Sequence, residues 1–273
     1  WPAVRVIVGP TPIPGGDARS AGDITVYNER LAFALAVDSA VPYGVAHGAL
    51  IDAAPVSNGH IGLDRVVFAD FLPNDWSAWP NSYHRVEILE RSPRRVVLRA
   101  TRDWGQVTIT TLYTLRADDD AIEIETTMRN EGGTALPALL SGLTLWSKGG
   151  FLFEVPGLAG VERGTADSAL SDRVVAYDAG WCIALHAPYF DHAGFDSRDL
   201  YRLHTLAPGE TRRFTGWLQI GASADLGPVV QAEITRKKLS SGTIQGAIGA
   251  SDGKPVDEPV VVIEKQGKTY AWV

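Results

Sequence analysis

Apolar and polar residues alternate with a period of two along much of this chain. In the run VTITTLY, residues 107–113, every second position carries a residue suited to a packed face, and the run IEIETTM, residues 122–128, repeats the pattern. Alternation of this kind places one set of side chains on a buried face of a β-strand and the other set on a wetter face. Similar short runs, bounded by Gly, Pro, Asn and Asp, recur along the chain and predict an all-β protein.

The number of predicted strands exceeds that of a small immunoglobulin-like sandwich. We therefore predict an all-β fold of two large packed antiparallel sheets, a supersandwich with few helices. Apart from the runs above, strands are predicted at Val4–Val8, Ile24–Tyr27, Arg30–Val37, Val66–Phe71, Tyr83–Glu90, Leu139–Trp146, Arg173–Tyr177, Trp181–His186 and Thr211–Ile220.

One helix is predicted, at Ser223–Leu239, because its apolar residues recur at helical spacing and cations lie near its end. A short linker, residues 240–242, follows it, and we place a domain boundary there.

Two turns are also predicted. Ser92 and Pro93 fit a solvated hairpin tip within a basic cluster, with a contact to an anion or an acidic polymer as the alternative. Residues 118–120, all Asp, fit a turn better than a calcium loop.

Composition excludes some partners and leaves others open. The net charge of −7 over 273 residues argues against binding to nucleic acid, which needs clustered Lys and Arg. No apolar run reaches the roughly 18 residues of a membrane span. The single cysteine, Cys182, lies in an apolar run that predicts a buried strand. Because residue 1 is Trp1, we expect that a leading segment has been removed or that the chain is a fragment.

No motif for catalysis, metal or cofactor binding stands out. The six histidines form no metal-binding spacing, and the closest group, His186 with Asp191 and His192, fits a surface loop better than a site. We therefore predict no metal and no cofactor. The sequence also lacks a serine-hydrolase motif and a phosphate-binding loop.

One loop is suited to binding a carbohydrate or another small polar ligand. The run FLPNDWSAWPNSYHR, residues 71–85, combines large rings with Pro, Asn and Ser. Aromatic faces with polar edges stack on sugar rings and bond to their hydroxyls. The alternative is that these rings cover one end of the sandwich. The predicted contact residues are Trp76, Trp79, Tyr83, His84 and Arg85.

The segment LYTLRADDDAIEIETTMRNEGGTALPALLSGLTLW resembles galactose-mutarotase-like β-supersandwich domains. The positions that carry the resemblance are Tyr113, Leu115, Asp119, Ile122, Ile124, Asn130 and Pro137. That fold hosts epimerases, lyases, glycosidases and binding domains. Aldose epimerases of the family carry a catalytic His on the strand after the Asn and Pro, but this chain has none between Asn130 and Trp146. The remaining candidates for catalysis are His84 and His186, with Glu154 as a base.

The end of the chain, GTIQGAIGASDGKPVDEPVVVIEK, resembles the start of a carboxypeptidase-regulatory-like β-sandwich. Its glycines at 242, 246 and 253 and the Pro255-Val256 pair match that family's pattern. The resemblances imply a supersandwich at residues 1–239 and a linker with the first strands of an incomplete sandwich at 240–273. This order is similar to exported bacterial multidomain proteins, some ending in a PHP-type metal-dependent hydrolase domain, and implies a periplasmic or secreted protein.

We therefore expect a carbohydrate-binding or interdomain scaffold module without chemistry of its own. It would belong to a larger exported bacterial protein, a hydrolase, and its partners would be a carbohydrate and the further C-terminal domains. The alternative is an epimerase, lyase or glycosidase on the same scaffold.

Overall fold

The described residues of the chain form two large antiparallel sheets, a small hairpin and one helix. The computed structural model describes residues 3–42, 47–76, 85–153, 172–195, 198–265 and 267–273. The strands in chain order are β1 (Arg5–Val8), β2 (Ile24–Tyr27), β3 (Leu31–Leu35), β4 (Leu50–Ser57), β5 (His60–Ile61), β6 (Val66–Leu72), β7 (Arg85–Arg91), β8 (Arg95–Trp104), β9 (Val107–Arg116), β10 (Ala121–Asn130), β11 (Leu136–Ser147), β12 (Phe151–Phe153), β13 (Arg173–Asp178), β14 (Trp181–His186), β15 (His192–Gly194), β16 (Asp199–Leu206), β17 (Thr211–Gly221), β18 (Val262–Lys265) and β19 (Lys268–Trp272). The helix, α1, runs from Gly227 to Lys237.

In both sheets, some strands that are distant in the sequence lie side by side. A nine-stranded sheet has the order β1-β2-β3-β4-β6-β11-β16-β15, with β5 paired to β4. An eight-stranded sheet has the order β12-β13-β14-β17-β10-β9-β8-β7. The prediction of an all-β, two-sheet antiparallel fold is confirmed, as are the helix and the two hairpin turns at Ser92-Pro93 and residues 118–120. Among the described residues, no helix has the length and apolarity needed to cross a bilayer.

The main core lies between the two sheets. Strand β3 shows how the sequence builds it, because Leu31, Phe33 and Leu35 join this core while the alanines between them point the other way. Strands β9 and β10 contribute in the predicted manner, with alternate side chains buried. The nine-stranded sheet therefore has an inner face toward the core and an outer face turned away from it.

The outer face of the nine-stranded sheet carries a second apolar cluster. Its members include Ala32, Ala34 and Ile51 from β3 and β4, together with Phe68 from β6. A loop between β1 and β2 covers part of this face, since Ile13 and Ala18 pack against the alanines. Small side chains suit the position because they let the covering loop approach the sheet closely.

The C-terminal hairpin packs against the eight-stranded sheet. Tyr270 and Ala271 of β19 share a third apolar cluster with residues of β13, β14 and α1. The Trp272 indole donates a hydrogen bond to the Ala224 carbonyl at 2.7 Å, and its ring centroid lies 4.5 Å from that of Tyr177. The predicted boundary between residues 239 and 240, and the assignment of 240–273 to a second sandwich, remain predictions.

Candidate functional site

Four aromatic rings meet on the outer face of the nine-stranded sheet. Trp76 contacts Phe68, Trp146 and Phe195 edge to face, with ring centroids 6.1, 5.9 and 5.7 Å away. Phe68 stacks on Trp146 at 5.9 Å and is fully buried, whereas Phe195 is 42% exposed. Arg198 lies with its guanidinium 5.2 Å from the Trp146 ring centre. We call Trp76, Trp146 and Phe195 the aromatic patch.

The backbone around Trp76 is fastened to β11. The Asp75 amide donates to the Leu140 carbonyl at 2.7 Å, and the Leu140 amide donates to the Asn74 side chain at 3.1 Å. Asp75 has a φ of 51°, in the left-handed region that a residue with a side chain adopts at some cost. The chain therefore turns sharply just before Trp76 and directs its ring back over the sheet.

The carboxylate of Asp199, at the start of β16, fixes the Trp76 ring by a hydrogen bond. The Trp76 indole N–H donates to Asp199 Oδ2 at 2.6 Å, and the Thr144 hydroxyl donates to Oδ1 at 2.5 Å. The Tyr201 hydroxyl lies 2.9 Å from the same Oδ2 and 3.0 Å from Asp75 Oδ1. Burial raises the pKa of Asp199 to about 6, although these donors favour the charged form.

The strand register explains why these groups meet. Thr144 pairs with Asp199 and Gly142 pairs with Tyr201 across β11 and β16, so the side chains share one face. Gly142 is required there, because an added Cβ would lie 1.9 Å from the Leu200 carbonyl oxygen. Asp199 is not among the residues predicted from the sequence. The signal that could have identified it is a carboxylate at the start of an apolar strand, in the run DLYRLHTL.

Two of the five predicted binding residues lie in the described part of the chain. Trp76 belongs to the aromatic patch. Arg85 begins the edge strand β7, on the other sheet, where its guanidinium pairs with Glu87 and 68% of its side chain is exposed. The remaining predicted binding residues, Trp79, Tyr83 and His84, lie outside the described residues, as does Glu154.

His186, one of the candidates for catalysis, is fully buried in β14. Its Nε2 lies 3.0 Å from Gln219 Oε1 and its Nδ1 lies 3.4 Å from Asp172 Oδ1. Burial lowers the pKa of His186, so the neutral ring is favoured. In this arrangement the ring links β14 to β17 and has no contact with solvent.

A charged network surrounds His186 and ties α1 to the sheet. Arg173 and Glu233 form an ion pair with both side chains fully buried. Glu233 also accepts a hydrogen bond from the Asp172 amide at 3.0 Å, and Lys237 approaches Glu233 to 3.3 Å. These contacts connect β13 to α1, so the charged groups near His186 have a structural role.

Three carboxylates converge at another point of the outer face. Ligand oxygens of Asp17, Asp52 and Asp64 lie within 4.8 Å of one another. The Lys148 ammonium lies 2.6 Å from Asp17 Oδ2 and 2.6 Å from Asp64 Oδ2, and 3.1 Å from the Gly15 carbonyl. Lys148 is therefore the counter-cation of this cluster, and burial raises the pKa of Asp64 to about 6.

Within the carboxylate cluster, Asp52 binds the backbone of the loop that covers the sheet. Its two oxygens accept hydrogen bonds from the Asp17 and Ala18 amides at 2.6 and 3.0 Å, which fastens the covering loop to β4. Beside this point lies a cavity of about 340 Å³. Ile51 and Val67 line it and also belong to the apolar cluster that contains Trp76. The outer face is thus continuous from the cavity to the aromatic patch.

Comparison with known proteins places the fold. No family model matches the sequence, and no curated protein matches it. Among solved structures, a galactose mutarotase-like protein from Lactobacillus casei has 10% identity and a TM-score of 0.50, and the match covers 73% of this chain and 100% of that one. The chain has a galactose mutarotase-like fold. The resemblance predicted from residues 112–146 is confirmed at the level of the fold.

A second solved structure extends the comparison. A TPR-domain containing protein from Parabacteroides distasonis has 11% identity and a TM-score of 0.53, and the match covers 81% of this chain. This chain spans 55% of the length of that protein. At such identities a match shows a similar fold, and activity is a separate question. The predicted carboxypeptidase-regulatory-like and PHP-type parts remain predictions.

Proposed function

We propose that this chain is a non-catalytic carbohydrate-binding module that uses the aromatic patch to contact its ligand. The observation that carries the proposal is the hydrogen bond from Trp76 to Asp199, because it fixes a large ring beside the exposed ring of Phe195. A sugar presents apolar C–H faces and polar edges, and a rigid aromatic surface binds the former at a low cost in entropy.

Polar groups around the patch suit the edges of a sugar ring. Arg198 lies over Trp146, and Asp75 lies next to Trp76 in the chain. Arginine and carboxylate side chains are donors and acceptors that bond to hydroxyls. The cavity beside Ile51 and Val67 provides further room on the same face for a ligand longer than one ring.

The proposal includes a place in a larger protein. We propose that the module belongs to an exported bacterial multidomain protein, periplasmic or secreted, and serves there as a binding or interdomain scaffold part of a hydrolase. The support is the resemblance of residues 240–273 to the start of a further sandwich. The C-terminal hairpin would then lie between this module and its neighbours.

Two exposed phenylalanines allow a matched test of the binding proposal. Phe195→Ala removes the exposed ring of the patch, whereas Phe151→Ala removes a 66% exposed ring on the edge strand β12 of the other sheet. Each ring contacts one or more other aromatic rings. We would screen wild-type protein against soluble neutral and acidic oligosaccharides and measure affinities of both variants by titration calorimetry.

We expect Phe195→Ala to weaken binding about tenfold, because the lost apolar contact is worth roughly 1.5 kcal/mol. Phe151→Ala should bind like the wild type. Equal affinities for both variants, with the fold intact by circular dichroism, would place the ligand elsewhere. Failure of the wild type to bind any oligosaccharide would remove the proposal.

An enzyme on the same fold is the second candidate, and one observation favours it. Asp199 and Asp75 contact one tyrosine hydroxyl; Asp199 is fully buried, like His186, so the half-buried Asp75 is the carboxyl of the pair that would exchange a proton with a ligand. An epimerase, lyase or glycosidase would need such a group. The test is an assay of sugar mutarotation, and of reducing ends released from oligosaccharides, with Asp75→Asn as the inactive control.

A further inference from the structure

The Tyr201 hydroxyl lies between two carboxyl groups. Its oxygen is 2.9 Å from Asp199 Oδ2 and 3.0 Å from Asp75 Oδ1, and both are hydrogen-bond distances. A tyrosine hydroxyl has a single hydrogen to donate. If both carboxyls are ionised, one of the two contacts brings oxygen lone pairs together with no hydrogen between them.

One additional proton completes the arrangement. With the proton on Asp199 Oδ2, that carboxyl donates to the Tyr201 oxygen, and Tyr201 donates to Asp75. The Trp76 indole and the Thr144 hydroxyl still find acceptor lone pairs on Asp199. Every close contact then has one donor and one acceptor, as expected for buried polar groups.

Loss of that proton acts unevenly on the two carboxyls. Asp199 is fully buried and faces three donors, on β11, β16 and the Trp76 loop, whereas Asp75 lies in that loop with a φ of 51° and its amide bonded to the Leu140 carbonyl. When the Tyr201 hydroxyl donates to Asp199, its lone pairs face Asp75 Oδ1 at 3.0 Å, so the repulsion acts on the Asp75 side chain. Because Asp75 directly precedes Trp76, a shift of Asp75 moves the backbone that directs the Trp76 ring.

We propose that a proton shared among Asp75, Tyr201 and Asp199 sets the position of Trp76 and so regulates the aromatic patch. The regulatory meaning rests on the binding function proposed above, while the proton-linked movement does not. Protonation gives each close contact of this structure one donor and one acceptor, whereas deprotonation sets repulsion at Asp75 against a stronger Trp76–Asp199 hydrogen bond and so changes the position of Trp76. Ligand affinity should therefore change as the pH passes through the transition.

Other charged groups near the patch have to be separated from this one. His192 of β15 pairs in register with Tyr201, and its Nδ1 lies 2.7 Å from Asp191 Oδ1. Arg198 precedes Asp199 and lies over Trp146. An arginine stays charged over the whole range, so His192 is the group that needs a control. The raised pKa of Asp199, about 6, places the transition in an accessible range.

The test follows two resonances by NMR between pH 4.5 and 8, without any ligand. The Trp76 indole N–H, assigned with Trp76→Phe, reports on Asp199, and the Asp75 backbone amide reports on the loop. In the wild type and in His192→Gln, both should shift with one common midpoint near pH 6. In Tyr201→Phe, the indole should still titrate while the Asp75 amide loses that midpoint, because the connecting hydroxyl is gone.

Asp199→Asn should abolish the shared transition. A flat indole resonance in the wild type, a transition lost in His192→Gln, or an Asp75 amide that keeps the midpoint in Tyr201→Phe would each overturn the proposal. These outcomes need no oligosaccharide, so they are distinct from failure of the binding function, which the comparison of Phe195→Ala with Phe151→Ala decides.

Discussion

Replacement of Trp272 by alanine tests whether the C-terminal hairpin is part of the stable unit. The Trp272 ring is half-buried against Tyr177, and its indole bonds to the Ala224 carbonyl. Loss of the apolar contact costs about 2 kcal/mol and loss of the hydrogen bond about 1 kcal/mol. We therefore expect the free energy of unfolding to fall by about 3 kcal/mol, and Tm to fall by about 5 °C.

The assay is urea unfolding followed by circular dichroism, which reports on the two large sheets. Trp272→Phe keeps most of the ring contact and should cost about 1 kcal/mol, the hydrogen bond alone. Ile248→Ala is the matched control in the same C-terminal segment, because Ile248 is 52% exposed and its loss should change stability by less than about 0.5 kcal/mol.

A Trp272→Ala variant as stable as Ile248→Ala would refute this reasoning. The sheets would then unfold independently of the hairpin, as expected if residues 240–273 belong to a separate second domain. A loss near 3 kcal/mol would instead show that the hairpin stabilises the two large sheets, although it follows the predicted linker in the sequence.

Three further predictions follow from buried groups. Arg173→Met removes the fully buried cation that pairs with Glu233 and leaves Lys237 as its remaining cation, so it should cost about 3 kcal/mol in urea unfolding, whereas the double change with Glu233→Gln should recover much of that loss. The pKa of Asp64 is about 6 in the folded protein, above its ordinary value, so the folded state loses stability as the pH rises from about 4 to about 6, by up to roughly 3 kcal/mol. Asp64→Asn should flatten that part of the plot of unfolding free energy against pH. An unchanged plot would contradict the raised pKa. Gly142→Ala forces a methyl group into the Leu200 carbonyl and should destabilise the protein by several kcal/mol in thermal unfolding; a neutral effect would contradict the close approach of β11 and β16.

The alternating strands could be predicted from the sequence because one face of each is buried. Strands β9 and β10 show period-two patterns, and their boundaries follow from turns rich in Gly and Asp. Strand β4 was missed for a physical reason. Seven of its eight residues are buried, on both faces, and it contains Asp52 and Pro55, so no alternation marks it.

The candidate site was only partly accessible to sequence reasoning. Trp76 was predicted because aromatic residues cluster in its loop, but its anchor Asp199 lies 123 residues further along the chain. The two meet because β6, β11 and β16 are neighbours in the sheet, an order that local patterns do not specify. The role of Asp199 therefore depends on contacts with residues that are distant in the sequence and adjacent in the sheet.

The most direct measurement of the central claim is an NMR titration of indole N–H resonances with the tightest-binding oligosaccharide. We expect saturable shifts of the Trp76 and Trp146 resonances, with no shift of the resonance of Trp217, whose ring contacts Arg236 of α1. Saturable shifts at Trp217 with Trp76 and Trp146 unaffected would contradict the account and move the ligand to the other sheet.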